Sequence, residues 1–127
     1  MEEINPRTVV EAYLQAFDAR DLPKCIGFYD DDASLTFGLA LFRGRQAIEQ
    51  WHKDRFAADM RIQQLEDIEA HADTVVIRAV VTSKKLRLFK VASLGGTGTF
   101  LIQRGKIKEV RFEGQISAST QVESRRM

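Results

Sequence analysis

Apolar residues follow two different periods along this chain, one in each half. From Thr74 onward they come in short runs rich in β-branched side chains. Thr74 to Thr82 reads Thr-Val-Val-Ile-Arg-Ala-Val-Val-Thr, and Leu86 to Leu94, Gly95 to Gln103 and Ile107 to Glu113 follow, broken by a Ser/Lys cluster and by the turn Arg104-Gly105-Lys106. Such runs predict antiparallel strands joined by hairpins. Arg61 to Ala70 predicts one more strand, with Ala72-Asp73 as its turn.

Before Met60 the period is helical. Asn5-Pro6 supplies a capping side chain and a first-turn proline, and Val9, Val10, Tyr13, Leu14 and Phe17 recur at three and four, predicting a helix from Pro6 to about Arg20. Asp21 caps a second, shorter helix with Pro23 in its first turn and Leu22, Cys25, Ile26 and Tyr29 on one side, ending at Asp30-Asp31-Asp32. Ala33 to Phe37 predicts a short strand. After a loop from Gly38 to Gly44, the residues Ala47, Ile48, Trp51 and Phe56 mark a third helix over Arg45 to Ala58. Past Gly114 the period is lost, so residues 115–127 read as a loose tail on a domain of residues 1–114.

Three helices followed by a sheet is an α+β arrangement in which the helices cover one sheet face. On Thr74 to Thr82 the odd positions Val75, Ile77, Ala79 and Val81 are all apolar, yet Val76 and Val80 make the other face apolar too. That second face calls for a cover, and a second copy of the chain, giving a homodimer, is the expected one. Arg78 stands out in this run. A guanidinium buried there without a partner would cost several kcal/mol, so it must face solvent, a ligand anion, or an acid such as Glu109, Glu113 or one on the preceding strand.

Composition narrows the class without naming a reaction. The 127 residues make one domain, and 44% hydrophobic with 29% charged residues is ordinary for a globular protein. Nineteen basic against eighteen acidic residues leave +1, so overall charge points to neither nucleic acid nor an anionic membrane. The basic clusters at Arg43/Arg45, Lys84-Lys85-Leu86-Arg87 and Arg104/Lys106/Lys108 read as solvated edges. The acidic start lacks a signal-peptide core, and the single Cys25 excludes an internal disulfide, so a cytoplasmic protein is expected.

Sharper motifs fail. Gly95-Gly96-Thr97-Gly98 has no Lys-Ser/Thr after it and leads into a strand, so its glycines read as a bulge rather than a phosphate loop. Asp30-Asp31-Asp32 lacks the pattern of a calcium loop, two histidines and one cysteine give no zinc spacing, and no nucleophile elbow is present. No metal and no cofactor is expected.

Several stretches in order carry a resemblance: Val9-Val10 with Tyr13, Asp21-Leu22, Tyr29 with Asp31-Asp32-Ala33, Gly44 with Ala47-Ile48, and Phe100 with Gly105-Lys106-Ile107. Over residues 5–114 the chain resembles the nuclear transport factor 2-like, or SnoaL-like, cone fold, which includes ketosteroid isomerases, polyketide cyclases and scytalone dehydratase. The resemblance implies a curved antiparallel sheet and three helices enclosing a conical apolar pocket, with dimerisation through the outer sheet face. It places Tyr13 on the tyrosine that donates to the substrate oxygen in the isomerases. Phe37 and Gly98 stand where those isomerases carry their two acids, so the steroid isomerase mechanism lacks its base. It also implies that Trp51, Arg78, Val110, Phe112, Phe100 and Ile102 look inward and that His52 approaches Tyr13.

The expected site is therefore an acid/base couple of Tyr13 and His52, with Arg78 anchoring an anionic group against Phe37, Trp51, Phe100, Phe112 and Val110. The expected function is binding of a small hydrophobic, ring-containing and optionally anionic molecule, with cofactor-free lyase, isomerase or cyclase chemistry as one outcome. The alternative is a ligand carrier or dimerising adaptor without catalysis.

Overall fold

The computed structural model describes residues 5–90 and 94–114. The first helix, α1 (Pro6–Asp18), starts where the Asn5 side chain accepts the Arg7 backbone N–H at 2.9 Å. Its stripe of Val9, Val10, Tyr13, Ala16 and Phe17 is buried. Asp21 caps α2 (Leu22–Gly27) through the Lys24 N–H at 3.2 Å. The third helix, α3 (Arg45–Ala57), turns Ile48, Trp51 and His52 inward.

Six strands, β1 (Tyr29–Phe37), β2 (Ala40–Arg43), β3 (Arg61–His71), β4 (Thr74–Thr82), β5 (Leu94–Gln103) and β6 (Lys106–Gly114), form one curved, unclosed sheet. Its order is β2-β1-β6-β5-β4-β3. The core fills the hollow face, where α1 and α3 pack against Ala33, Leu35, Val75, Ile77, Phe100, Ile102, Ile107 and Val110. The α+β class and the curved sheet expected from the sequence are both present.

Five expectations need correction. The second helix ends at Gly27, not at the aspartates, because Tyr29 already belongs to β1. Asp30 and Asp32 sit on that strand and share the Lys108 ammonium at 2.8 Å each, which satisfies charges a short helix would have left in water. The loop from Gly38 to Gly44 holds β2, paired back on β1 by a tight hairpin, and β1 joins β6 in parallel, so the sheet is mixed. In place of a strand at Leu86 to Leu94 there is a short helix, α4 (Lys84–Leu88), capped by Ser83 through the Leu86 N–H, and β5 begins only at Leu94. Finally, the glycines of β5 form no bulge. Their register with β4 runs unbroken from Leu94 to Leu101. The expected tail lies outside the described residues.

Two devices fix α3 and the turn after it. The register of β1 on β6 slips between Tyr29 and Ser34, and the Tyr29 carbonyl is taken by the Arg45 guanidinium at 3.0 and 2.8 Å. After α3, Asp59 adopts a left-handed φ of 55° and accepts Arg20, Arg61 and Arg87 at 3.1, 2.9 and 2.6 Å. Those three guanidiniums hold the Asp59 carboxyl below its ordinary range, Arg87 foremost. The carboxylate ties the end of α1, the start of β3 and α4 into one corner.

Candidate functional site

Strand alternation decides which side chains can reach the hollow face. On β4 the inward set is Val75, Ile77 and Ala79; on β5 it is Gly98, Phe100 and Ile102; on β6 it includes Val110. Between this face and α1 and α3 lies a cavity of about 260 Å³.

Its walls are almost wholly apolar. Trp51 from α3 and Phe112 from β6 stack with centroids 5.4 Å apart and planes 8° from parallel, and Phe37 meets Trp51 edge-on at 5.5 Å. Ile62, Ile77, Ala79, Val81 and Leu94 close the opposite side, and Tyr13 and Phe17 close the inner end. Gly96 and Gly98 leave the floor without side chains. A Cβ on Gly98 would stand 3.0 Å from Phe112 Cε1 and 3.2 Å from Ile77 Cγ1, so glycine here is what lets the Phe112 ring lie across β5 beside Trp51.

Behind Tyr13 runs a buried chain of hydrogen bonds. Tyr29 Oη donates to Tyr13 Oη at 2.9 Å, Tyr13 Oη lies 2.7 Å from His52 Nε2, and His52 Nδ1 lies 2.8 Å from the Ile48 carbonyl. A carbonyl only accepts, so the His52 proton is on Nδ1 and Nε2 accepts from Tyr13. Burial lowers the His52 pKa, against a smaller upward pull from the Ile48 carbonyl. Burial, followed by the neighbouring Tyr29, raises Tyr13 well above its ordinary value. Both shifts keep the pair neutral.

The predicted site residues thus separate. Phe37, Trp51, Phe112 and Tyr13 line the cavity; His52 stands behind Tyr13, fully buried and off the wall. Phe100 and Val110 are inward but belong to the packed core rather than the cavity wall. Arg78 is the correction. It alternates with Ile77 and Ala79, so it points to the outer face, where its side chain is 54% exposed and lies 3.7 Å from Asp67 and 3.9 Å from Glu66. The reading of Arg78 as a pocket anchor fails on that parity; its partners are acids of β3.

Two residues escaped the sequence. Tyr29, counted as helix packing, completes the hydroxyl chain. Arg55, one turn after Trp51, holds its guanidinium 4.9 Å from the Phe37 ring centre and 5.6 Å from that of Trp51, backing the aromatic wall with a cation. The spacing of four from Trp51 was the available signal. Trp51 Nε1 and Arg55 Nε are buried without a hydrogen-bond partner among the described residues.

Among the described residues no three metal-ligating side chains come together. Cys25 is buried and its thiol is pushed up to about 12, chiefly by desolvation, so it is a packing group. Glu113 is the one charged residue among the described lining positions, and it is exposed at the rim. No helix among the described residues is long and apolar enough to cross a membrane.

A family model for the SnoaL-like domain matches residues 10–110. Solved structures with the same fold include a candidate polyketide cyclase from Sinorhizobium meliloti, 21% identical over 84% of this chain and 94% of its own, with a TM-score of 0.74. A protein of unknown function with a cystatin-like fold from Xanthomonas campestris is 18% identical over 87% of this chain and 91% of its own, with a TM-score of 0.76. A candidate ketosteroid isomerase from Kribbella flavida is 12% identical over 86% and 76%, with a TM-score of 0.74. These likenesses establish the fold alone. No curated protein matches the sequence.

Proposed function

Since the chain belongs to the SnoaL-like domain family, we propose that its cone binds a small, flat, neutral hydrophobic molecule of one or two rings. The observation that carries this reading is the Trp51–Phe112 stack over the floor of Gly96 and Gly98. That stack, set against Ile62, Ile77, Ala79, Val81 and Leu94, makes an apolar cavity with an aromatic wall, which accepts a hydrophobic ring. An apolar cavity of about 150 Å³ takes up benzene. The larger volume here leaves room for a second ring.

Binding is favoured over turnover by the state of the Tyr13–His52 couple. A general acid or base works best with its pKa near the working pH, and burial moves both groups away from it. Tyr13 Oη also donates its one hydrogen bond to His52 Nε2, so a ligand oxygen must displace His52 before it can be polarised. Ring closure or isomerisation in this cone, as the notion of a cyclase in this family suggests, would begin with that exchange at Tyr13.

Chemical-shift mapping of the ¹⁵N-labelled protein with 2-naphthol tests the site. The reading expects shifts at the Trp51 indole, Gly96 and Gly98. Shifts confined to the outer face around Arg78 and Arg111 would refute it.

A further inference from the structure

The open end of the cone carries apolar side chains that nothing in the core requires. The strand registers place the C-terminal ends of β1, β4 and β6 and the N-terminal ends of β3 and β5 on one edge of the sheet. The exposed lining residues Gly38, Glu113 and Gly114 lie at that edge, so the cavity opens there. Leu39, in the turn after β1, is 105% exposed; Leu88 and Phe89, at the end of α4, are 75% and 68% exposed. The α4 segment links β4, whose Val81 lines the cavity, to β5, whose Leu94 does.

Cations flank the pair in the chain. Lys84, Lys85, Arg87 and Lys90 are all exposed, and the sequence contains no acidic residue between Asp73 and Glu109. Asp59, which adjoins α4, is already shared by three arginines. Arg87 on Asp59 at 2.6 Å and the Lys84 N–H on the Ala58 carbonyl at 3.0 Å pin α4 to the rim, with Leu88 and Phe89 left facing outward.

We propose that this rim docks on an anionic lipid surface, with Leu88, Phe89 and Leu39 entering the acyl boundary and Lys84, Lys85 and Lys90 meeting the lipid phosphates. Single exposed leucines are common on soluble proteins. An adjacent Leu-Phe pair with exposed Lys84, Lys85 and Lys90 close to it in the chain has instead the composition of an interfacial segment. A second copy fits poorly, because a two-fold contact would bring the same cations face to face. An acidic protein would answer the cations and leave the apolar pair in water. The inference does not depend on what the cavity holds.

Co-sedimentation of the full chain with vesicles tests it, using phosphatidylcholine alone and phosphatidylcholine mixed with phosphatidylglycerol. The chain is expected to pellet with the mixed vesicles only. Leu88→Ser with Phe89→Ser, and separately Lys84→Glu with Lys85→Glu, should weaken that binding roughly tenfold or more while the melting temperature holds. No pelleting with the mixed vesicles, or pelleting that the Leu88 and Phe89 changes leave intact, overturns the proposal. So does a dimer in sedimentation velocity that the same changes abolish, since the patch would then belong to a second copy.

Discussion

Tyr13 Oη donates a hydrogen bond to His52 Nε2 across 2.7 Å, and His52 Nδ1 donates to the Ile48 carbonyl across 2.8 Å. The three groups, with Tyr29 donating from the other side, pair their donors and acceptors among buried side chains. Such a chain holds the inner end of the cavity rigid, because removing a middle member strands its neighbours.

Tyr13→Phe strands both the Tyr29 hydroxyl and His52 Nε2, and should cost about 1–3 kcal/mol. Tyr29→Phe removes only the donor at the end of the chain and should cost about 1 kcal/mol or less. Urea unfolding midpoints check the order. Equal losses would mean that the chain does not act as one unit.

The pH response follows from His52. Its folded pKa lies below the ordinary 6.5, so between the two values the unfolded chain binds more protons than the folded one. Stability from this group is fully present above 6.5 and is lost as pH falls through the folded value. The lowered carboxylates Asp30 and Asp59 act only in a window that begins below their ordinary 3.8. Melting temperatures should therefore fall as the pH drops below 6.5, and His52→Leu should flatten that slope even though it lowers stability throughout.

Gly98→Ala puts a methyl against Phe112 and Ile77 at contacts of 3.0 to 3.2 Å. Overpacking of this kind costs about 1–3 kcal/mol. The near-ultraviolet circular dichroism of Trp51 should change with it, since the Phe112 ring stacked on Trp51 must shift to admit the methyl. An unchanged spectrum would contradict the role given to this glycine.

Arg78→Leu should leave ligand binding intact and shift stability by no more than about 1 kcal/mol, as for other exposed ion pairs. Calorimetric titration with 2-naphthol checks it. Lost binding in a well-folded variant would return Arg78 to the site.

The helices and most strands were legible because their signals are local. Asn5-Pro6, Asp21 and the three-four spacing of Val9, Val10, Tyr13 and Phe17 each act within a few residues. What escaped depends on distant partners. Asp30 and Asp32 could be placed on a strand only through Lys108, and Lys84–Leu88 became a helix through a cap and an arginine held by Asp59. The period of the third helix put Trp51 inside, whereas Phe37 and Phe112 were placed by the resemblance, which could not separate core from cavity wall. Arg78 misled because resemblance overrode parity: Ile77 and Ala79 already marked the inward positions of β4. Tyr29 and Arg55 were invisible as site residues, since their roles exist only against Tyr13, Phe37 and Trp51 in space.

Trp51 is the sole tryptophan of the chain and lines the cavity, so its emission reports on occupancy directly. The decisive measurement is a titration of Trp51 fluorescence with 2-naphthol in the native protein and in Ala79→Phe, which fills the cavity from the β4 side. A saturable quench at one ligand per chain, absent from a folded Ala79→Phe, is the predicted result. Quenching that never saturates, or that Ala79→Phe leaves unchanged, would contradict a ring-binding cone.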